Sequence, residues 1–242
     1  MPEVKIGTAG WSIPRQFADA FPPGGTSLER YSARFLVAEI NSSFHRPHRR
    51  STWERWRDSV PDAFCFSAKL PKQITHQRKL VDCRDAIRAF AEQVGALGDK
   101  LAIVLVQLPP KLPFDERLVR DFFDELRASC SARIACEPRN PSWFTPAAGD
   151  VLNGLHVARV AADPAVCPEA AVPGGWKGFS YWRLHGSPAI YRSSYGDRVA
   201  SYAEELQREA SDREVWCIFD NTASSAAMGD ALRIIEELRP SA

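Results

Sequence analysis

Residues 179–185 read F-S-Y-W-R-L-H, placing Tyr181, Arg183 and His185 on one face of an extended chain and Trp182 and Leu184 on the other. An ionisable row backed by an apolar row fits a strand that meets helices on one side and an enclosed polar interior on the other. Similar short apolar runs recur at residues 4–7, 37–41, 64–69, 101–108, 133–137, 156–161 and 215–219, which makes eight expected strands. Between them lie segments with apolar spacing of three and four. At 82–97 the face is Ala86, Ile87, Phe90, Val94 and Leu97, at 114–129 it is Leu118, Phe122 and Leu126, and at 225–238 it is Met228, Ala231, Leu232, Ile235 and Leu238. Helix starts are expected at three capping boxes, Thr26 with Glu29, Ser51 with Glu54, and Ser201 with Glu204. Strand–helix alternation over this length predicts an α/β chain forming a single (β/α)8 TIM-like barrel domain over residues 1–242. Two connections are expected to be irregular. After the fifth strand only 146–152 has helical character, and after the sixth the stretch 164–178 is rich in Pro and Gly.

The chain has 242 residues, 45% of them hydrophobic, with 31 Lys+Arg against 30 Asp+Glu, a composition that excludes disorder and leaves no global basic field for a nucleic acid. Residues 1–11 lack the pattern of a secretory leader, and the longest uncharged apolar run, 101–110, is too short to span a bilayer, so a cytoplasmic chain with no membrane partner is expected. Six cysteines are spread without a C-x-x-C pair and read as reduced thiols.

In a parallel barrel the strand ends converge at the C-terminal mouth. Strand parity turns inward Glu39 and Asn41, Ser67 and Lys69, Gln107, Glu137 and Arg139, Arg159 leading to Asp163, and Arg183 and His185, while leaving open which of Asp220 and Asn221 faces the mouth. One account is a lattice of ion pairs filling the interior, with Glu39 and Arg159 as a buried pair. The other is a polar ligand site, and it is favoured because apolar side chains would fill a barrel at lower cost. Glu137, Asp163, His185 and Asp220 end four strands, so a divalent metal is a lesser alternative; otherwise no cofactor and no metal site is expected. His156 and His48 read as structural, whereas His185 precedes a glycine and His76 closes a loop carrying Lys69, Lys72 and Gln73. There is no P-loop, G-x-G-x-x-G or G-x-S-x-G motif. The basic run 46–50, near Trp53 and Trp56, reads as a solvated loop.

Seven motifs run in order along the chain: I-G-T-A-G-W at 6–11, E-I-N-S-S-F at 39–44, F-S-A-K-L-P at 66–71 with I-T-H at 74–76, Q-L-P-P at 107–110, E-P-R-N-P-S-W at 137–143, R-L-H-G at 183–186, and F-D-N-T from Phe219. In this the sequence resembles the YecE-like domain of unknown function 72 family. The resemblance implies a TIM-like barrel and no established activity. Its motif residues fall here on Asn41, Lys69, His76, Gln107, Glu137, Arg139, Trp143, Arg183, His185 and Asn221. Departures are Asn140 where a His is usual, His45 where a Tyr is usual, and Asp220 and Thr222 flanking Asn221 where Asn and Asp are usual.

The expectation is an enzyme of hydrolase, lyase or isomerase type, using acid–base chemistry without a redox cofactor on a small anionic or polyhydroxylated molecule. Glu137 is cast as base and His185 as acid, with Lys69, Arg139 and Arg183 as the anion clamp and Trp11, Asn41, His76, Gln107, Trp143 and Asn221 completing the pocket. The alternatives are nucleic-acid processing, with Trp143 or Trp11 stacking a base, and a non-catalytic ligand-binding barrel.

Overall fold

A computed structural model describes residues 4–239. The expected strands are present: β1 Val4–Thr8, β2 Val37–Ile40, β3 Cys65–Lys69, β4 Leu101–Gln107, β5 Arg133–Glu137, β9 Ser180–Leu184 and β10 Val215–Phe219, with the sixth divided into β6 Val157–Arg159 and β7 Ala161–Asp163. A two-residue β8, Gly174–Gly175, lies antiparallel to β6. Helices α1 Ser27–Ser32, α2 Ser42–His45, α3 Arg50–Asp58, α4 Arg84–Val94, α5 Glu116–Ser129, α6 Pro146–Gly154, α7 Arg198–Glu209 and α8 Ala226–Glu237 fill the connections. As expected, the fifth and sixth connections are irregular, each containing a short 3-10 turn. Among the described residues no helix is long and apolar enough to cross a membrane.

The parallel strands form two arcs, β2-β3-β4-β5-β6 and β1-β10-β9-β7. They join into one TIM-like barrel at two seams. At the first, the sixth strand changes partner: the Val160 amide still donates to Cys136 of β5 at 2.8 Å, while Ala161 onward pairs with β9. At the second, β1 meets β2 through the single bridge Ala9–Glu39 and the Gly10 amide on the Glu39 carbonyl at 2.8 Å. Gly7 belongs here because any Cβ would lie 2.3 Å from the Val37 carbonyl oxygen.

Tyr31 completes that seam from α1. Its fully buried hydroxyl accepts from the Thr8 amide at 2.8 Å and donates to the Val37 carbonyl at 3.0 Å, so one phenol replaces a missing rung between strands. Tyr31→Phe strands a buried N–H and a buried C=O, and is expected to cost about 2 kcal/mol. Urea unfolding measures this. A loss too small to detect would show that the seam re-pairs without the hydroxyl.

Alternation along each strand divides the apolar residues into two cores. Val37, Ile103, Leu105, Ala135, Ala158, Val160, Tyr181, Trp216 and Ile218 pack inside the barrel, whereas Ala38, Phe66, Val104, Val106, Cys136, Trp182, Leu184 and Phe219 pack outward against the helices. This places Glu39, Lys69, Gln107, Glu137, Arg183, His185 and Asp220 above an apolar floor. It also corrects one expectation. Ala158 and Val160 take the inward positions, so Arg159 points outward, donating to the Glu169 carbonyl at 2.9 Å and stacking over Phe144 at 4.9 Å, with no contact to Glu39.

Of the capping boxes, only Thr26 with Glu29 forms. α3 begins at Arg50, one residue before Ser51, and Glu54 is taken by Arg50 Nε at 2.8 Å. α7 begins at Arg198, whose guanidinium holds Asp163 at 3.1 Å and Tyr202 at 2.9 Å, so Ser201 lies inside the helix.

Candidate functional site

Arg183 occupies the centre of the mouth, fully buried, at the level where β9 neighbours β10. Its Nε and Nη2 donate to the two carboxylate oxygens of Glu39 at 3.0 and 2.7 Å, Nη1 to Glu137 at 2.6 Å, and Nη2 also to Asp220 at 2.8 Å. Burial alone would pull its pKa down, but Glu39, Glu137 and Asp220 outweigh that and hold it well above the usual range. With every branch of the fork engaged, Arg183 organises carboxylates and offers nothing to an incoming anion.

Glu137, at the end of β5, is the second hub. Its Oε1 accepts from Arg139 Nε at 2.7 Å and faces His185 Nε2 at 2.9 Å, while Oε2 accepts from Gln107 at 3.1 Å and from Arg183. Burial raises its pKa, and Arg139, Arg183 and His185 together overcome that and hold it well below the usual carboxylate range. The resting carboxylate is therefore a weak proton acceptor. Asp220 is held the same way: burial pushes up, but Arg183 and His185 bring it below its ordinary value, and Asn41 Nδ2 donates to its other oxygen at 3.2 Å.

His185 links the two acids. Nδ1 lies 3.0 Å from Asp220, and Nε2 is 2.9 Å from Glu137 and 3.0 Å from Arg139 Nη2. Carrying one proton, on Nδ1, the ring donates to Asp220 and accepts from Arg139 at Nε2. Carrying two, it donates to Asp220 and Glu137, and Arg139 must turn away. The protonation of His185 and the position of Arg139 are thereby coupled.

Lys69 differs from its neighbours. The residue is only 7% exposed at the end of β3, its ammonium lies 4.4 Å from the Phe44 ring, and among the described residues it makes no ion pair. Burial first, and then the Arg183 charge, pull its pKa down to about 8, with Glu39, Glu137 and Asp220 partly opposing.

A loop after Gly186 covers the site. Gly186 has φ +91°, and a Cβ there would sit 2.7 Å from the Ser193 carbonyl, so this turn needs glycine. From the loop, Tyr191 sets its ring edge-on to His185 at 5.6 Å, and its amide donates to the His185 carbonyl. Asp230 of α8 pins the loop, accepting from Ser194, from the Tyr195 amide at 3.1 Å and from Asn221 Nδ2 at 2.7 Å.

The structure thus brings together Asn41, Lys69, Gln107, Glu137, Arg139, Arg183 and His185, with Asp220 rather than Asn221 facing the mouth. Asn221 is buried beneath the loop, bonded to Ser193 and Asp230. Trp143 is a fully buried outer-core residue whose indole donates to the Leu112 carbonyl at 3.0 Å. Trp11 packs edge-on to Trp56 at 5.1 Å on the α3 side. His76 stands beside the site, 5.0 Å from the Phe44 ring, its Nδ1 held by Thr75 at 2.9 Å. Asp163 turns away to Arg198, so the four-ligand convergence of Glu137, Asp163, His185 and Asp220 does not form. Asn140 caps a turn through Ser142 and bonds the Pro110 carbonyl, apart from the charged cluster. The loop residues Tyr191 and Tyr195 lie outside any periodic pattern, whereas Asp230 is an acid set among the apolar residues of the first half of the last helix, a signal the sequence does carry.

The profile of a family described as "Protein of unknown function DUF72" matches residues 5–242. The UPF0759 protein YecE of Escherichia coli K12 is 30% identical over 156 residues, 63% of this chain and 55% of that protein. The UPF0759 protein YunF of Bacillus subtilis is 28% identical over 152 residues, 59% of this chain and 53% of that protein. The match spans about half the length of these curated relatives. Among solved structures, a DUF72 family protein from Enterococcus faecalis V583 superposes with a TM-score of 0.82 at 20% identity, covering 99% of this chain and 97% of that one. One from Thermotoga maritima gives 0.77 at 22% identity, covering 97% and 98%. A D-psicose 3-epimerase from Clostridium cellulolyticum gives 0.56 at 10% identity, covering 97% and 98%. At such identities the likeness is one of fold.

Proposed function

The chain belongs to the DUF72 family, and on that premise we propose that it is an enzyme which receives a small anionic or polyhydroxylated molecule at the C-terminal mouth and works on it by acid–base chemistry. The observation that carries the reading is Lys69, a buried amine at the mouth that makes no ion pair among the described residues, while the other two cations there, Arg139 and Arg183, are paired with carboxylates. An anion there gives Lys69 the partner it lacks. Arg139 is the more exposed member of its pair with Glu137.

Drawing Arg139 toward the ligand takes one donor from Glu137 and one from His185 Nε2. Glu137 then gains basicity, and the Glu137–His185 contact is free to hold or pass a proton. Glu137 as base and His185 as acid are therefore roles of the liganded site. No redox cofactor is called on.

A thermal-shift screen of sugar phosphates, inorganic phosphate and small carboxylic acids tests this on the wild type and Lys69→Met. Stabilisation by an anion in the wild type that vanishes in the variant is expected. No response to any anion would overturn the reading. Full ligand affinity in Glu137→Gln, with no substrate converted by the wild type, would make the barrel a non-catalytic binder.

A further inference from the structure

Beside the mouth, between α2, α3 and α4, lies a cavity of about 370 Å³. Lys69 does not line it; the Phe44 ring stands between, carrying the Lys69 ammonium at 4.4 Å. We propose that this cavity is a second ligand site, built for a planar aromatic ring bearing one carboxylate, sulfonate or phosphate group.

The size falls within the range of small-molecule sites, about 300–1,000 Å³. Three aromatic side chains, Phe44, Trp53 and Phe90, supply walls, and Ala89 on α4 leaves the slot open. The walls are fixed in advance. Trp53 is 1% exposed and wedged edge-on between His48 at 5.3 Å and Trp56 at 5.2 Å, while Phe44 is held by His76 at 5.0 Å. Preset aromatic walls favour a rigid ring over a flexible chain, because neither side loses much freedom on binding.

The charge of the ligand follows from the rim. Arg46 and Lys72 line the cavity, neither makes an ion pair among the described residues, and no Asp or Glu lines it. With 31 basic and 30 acidic side chains overall, this local excess is not a general property of the surface. An acidic group on the ring would meet these two cations.

Calorimetric titration with 2-naphthoate and its neutral counterpart 2-naphthylmethanol tests the proposal on the whole chain. The acid is expected to bind at least about tenfold more tightly than the alcohol. Ala89→Phe, which fills the slot, and Lys72→Glu, which reverses the rim, should each weaken the acid by about tenfold or more, while Lys69→Met changes it by less than about twofold. Lys72 is exposed, so its variant decides the matter even if Ala89→Phe folds poorly. Equal affinity for acid and alcohol, no binding of either, or loss in Lys69→Met with none in Lys72→Glu would each overturn the assignment. The last result would place the acid at the mouth, leaving the proposed mouth chemistry intact.

Discussion

Arg183→Met is expected to lower stability at pH 7.5 by about 3–5 kcal/mol, the cost of removing one partner from a buried ionic network. For a domain of this size that is a fall of roughly 6–20 °C in melting temperature. The size follows from the number of groups abandoned. Glu39, Glu137 and Asp220 all converge on this guanidinium, and Glu39 has no other cation within ion-pairing distance among the described residues. Arg183→Lys should recover less than half, because a single ammonium cannot place donors on three carboxylates. The pH dependence has a definite sign. In the wild type Glu137 and Asp220 sit below their ordinary values, so the stability they confer is present above the unfolded carboxylate range and is lost as pH falls through their folded values. Without Arg183 these acids take up protons in the folded state at higher pH, so the gap between variant and wild type should narrow from pH 7.5 to pH 5. Urea unfolding at both values measures this, and a loss under about 1 kcal/mol would contradict the buried network.

Lys69→Met is expected to act in the opposite direction, stabilising the fold by about 2–3 kcal/mol at pH 7 while abolishing the response to anions. Folding takes the Lys69 pKa from 10.5 to about 8, and burial is the main cause. At about 1.4 kcal/mol per unit the charged amine costs the native state roughly 3 kcal/mol at neutral pH. For a base lowered on folding, the unfolded chain binds more protons between the two pKa values. The cost is therefore full below about pH 8 and is released as pH rises from there toward 10.5. Wild type should gain on the variant between pH 8 and pH 10. A variant less stable than wild type at pH 7 would show that Lys69 is a structural member of the network.

How much of this was legible beforehand depended on where one strand face was unmistakably polar. In 179–185 the two rows differ so strongly that inward and outward could be assigned without coordinates, and the same held for Glu39, Lys69, Gln107 and Glu137. In 156–161, H-V-A-R-V-A, each row holds one polar residue, His156 or Arg159, among apolar ones, so alternation carried no preference, and the charge pointed the wrong way. Trp143 stands in a family motif, and Asn221 both in a motif and at a strand end where parity left two candidates; their contacts with the Leu112 carbonyl and with Ser193 and Asp230 show that such positions also mark architecture. The fork geometry of Arg183 could not be read from spacing, because the pairing depends on the relative heights of β2, β5, β9 and β10. The covering loop escaped because Tyr191 and Tyr195 act through positions fixed by turns.

The measurement that bears most directly on the mouth as an anion site is the titration of Lys69 itself, followed by NMR of the lysine side chains with Lys69→Met for assignment. Titrated alone, Lys69 should have its midpoint near 8. With saturating phosphate or a small carboxylate, that midpoint should rise by about one unit or more, because a bound anion favours the charged amine. A midpoint at the ordinary 10.5, or one near 8 that no anion moves, would contradict the account.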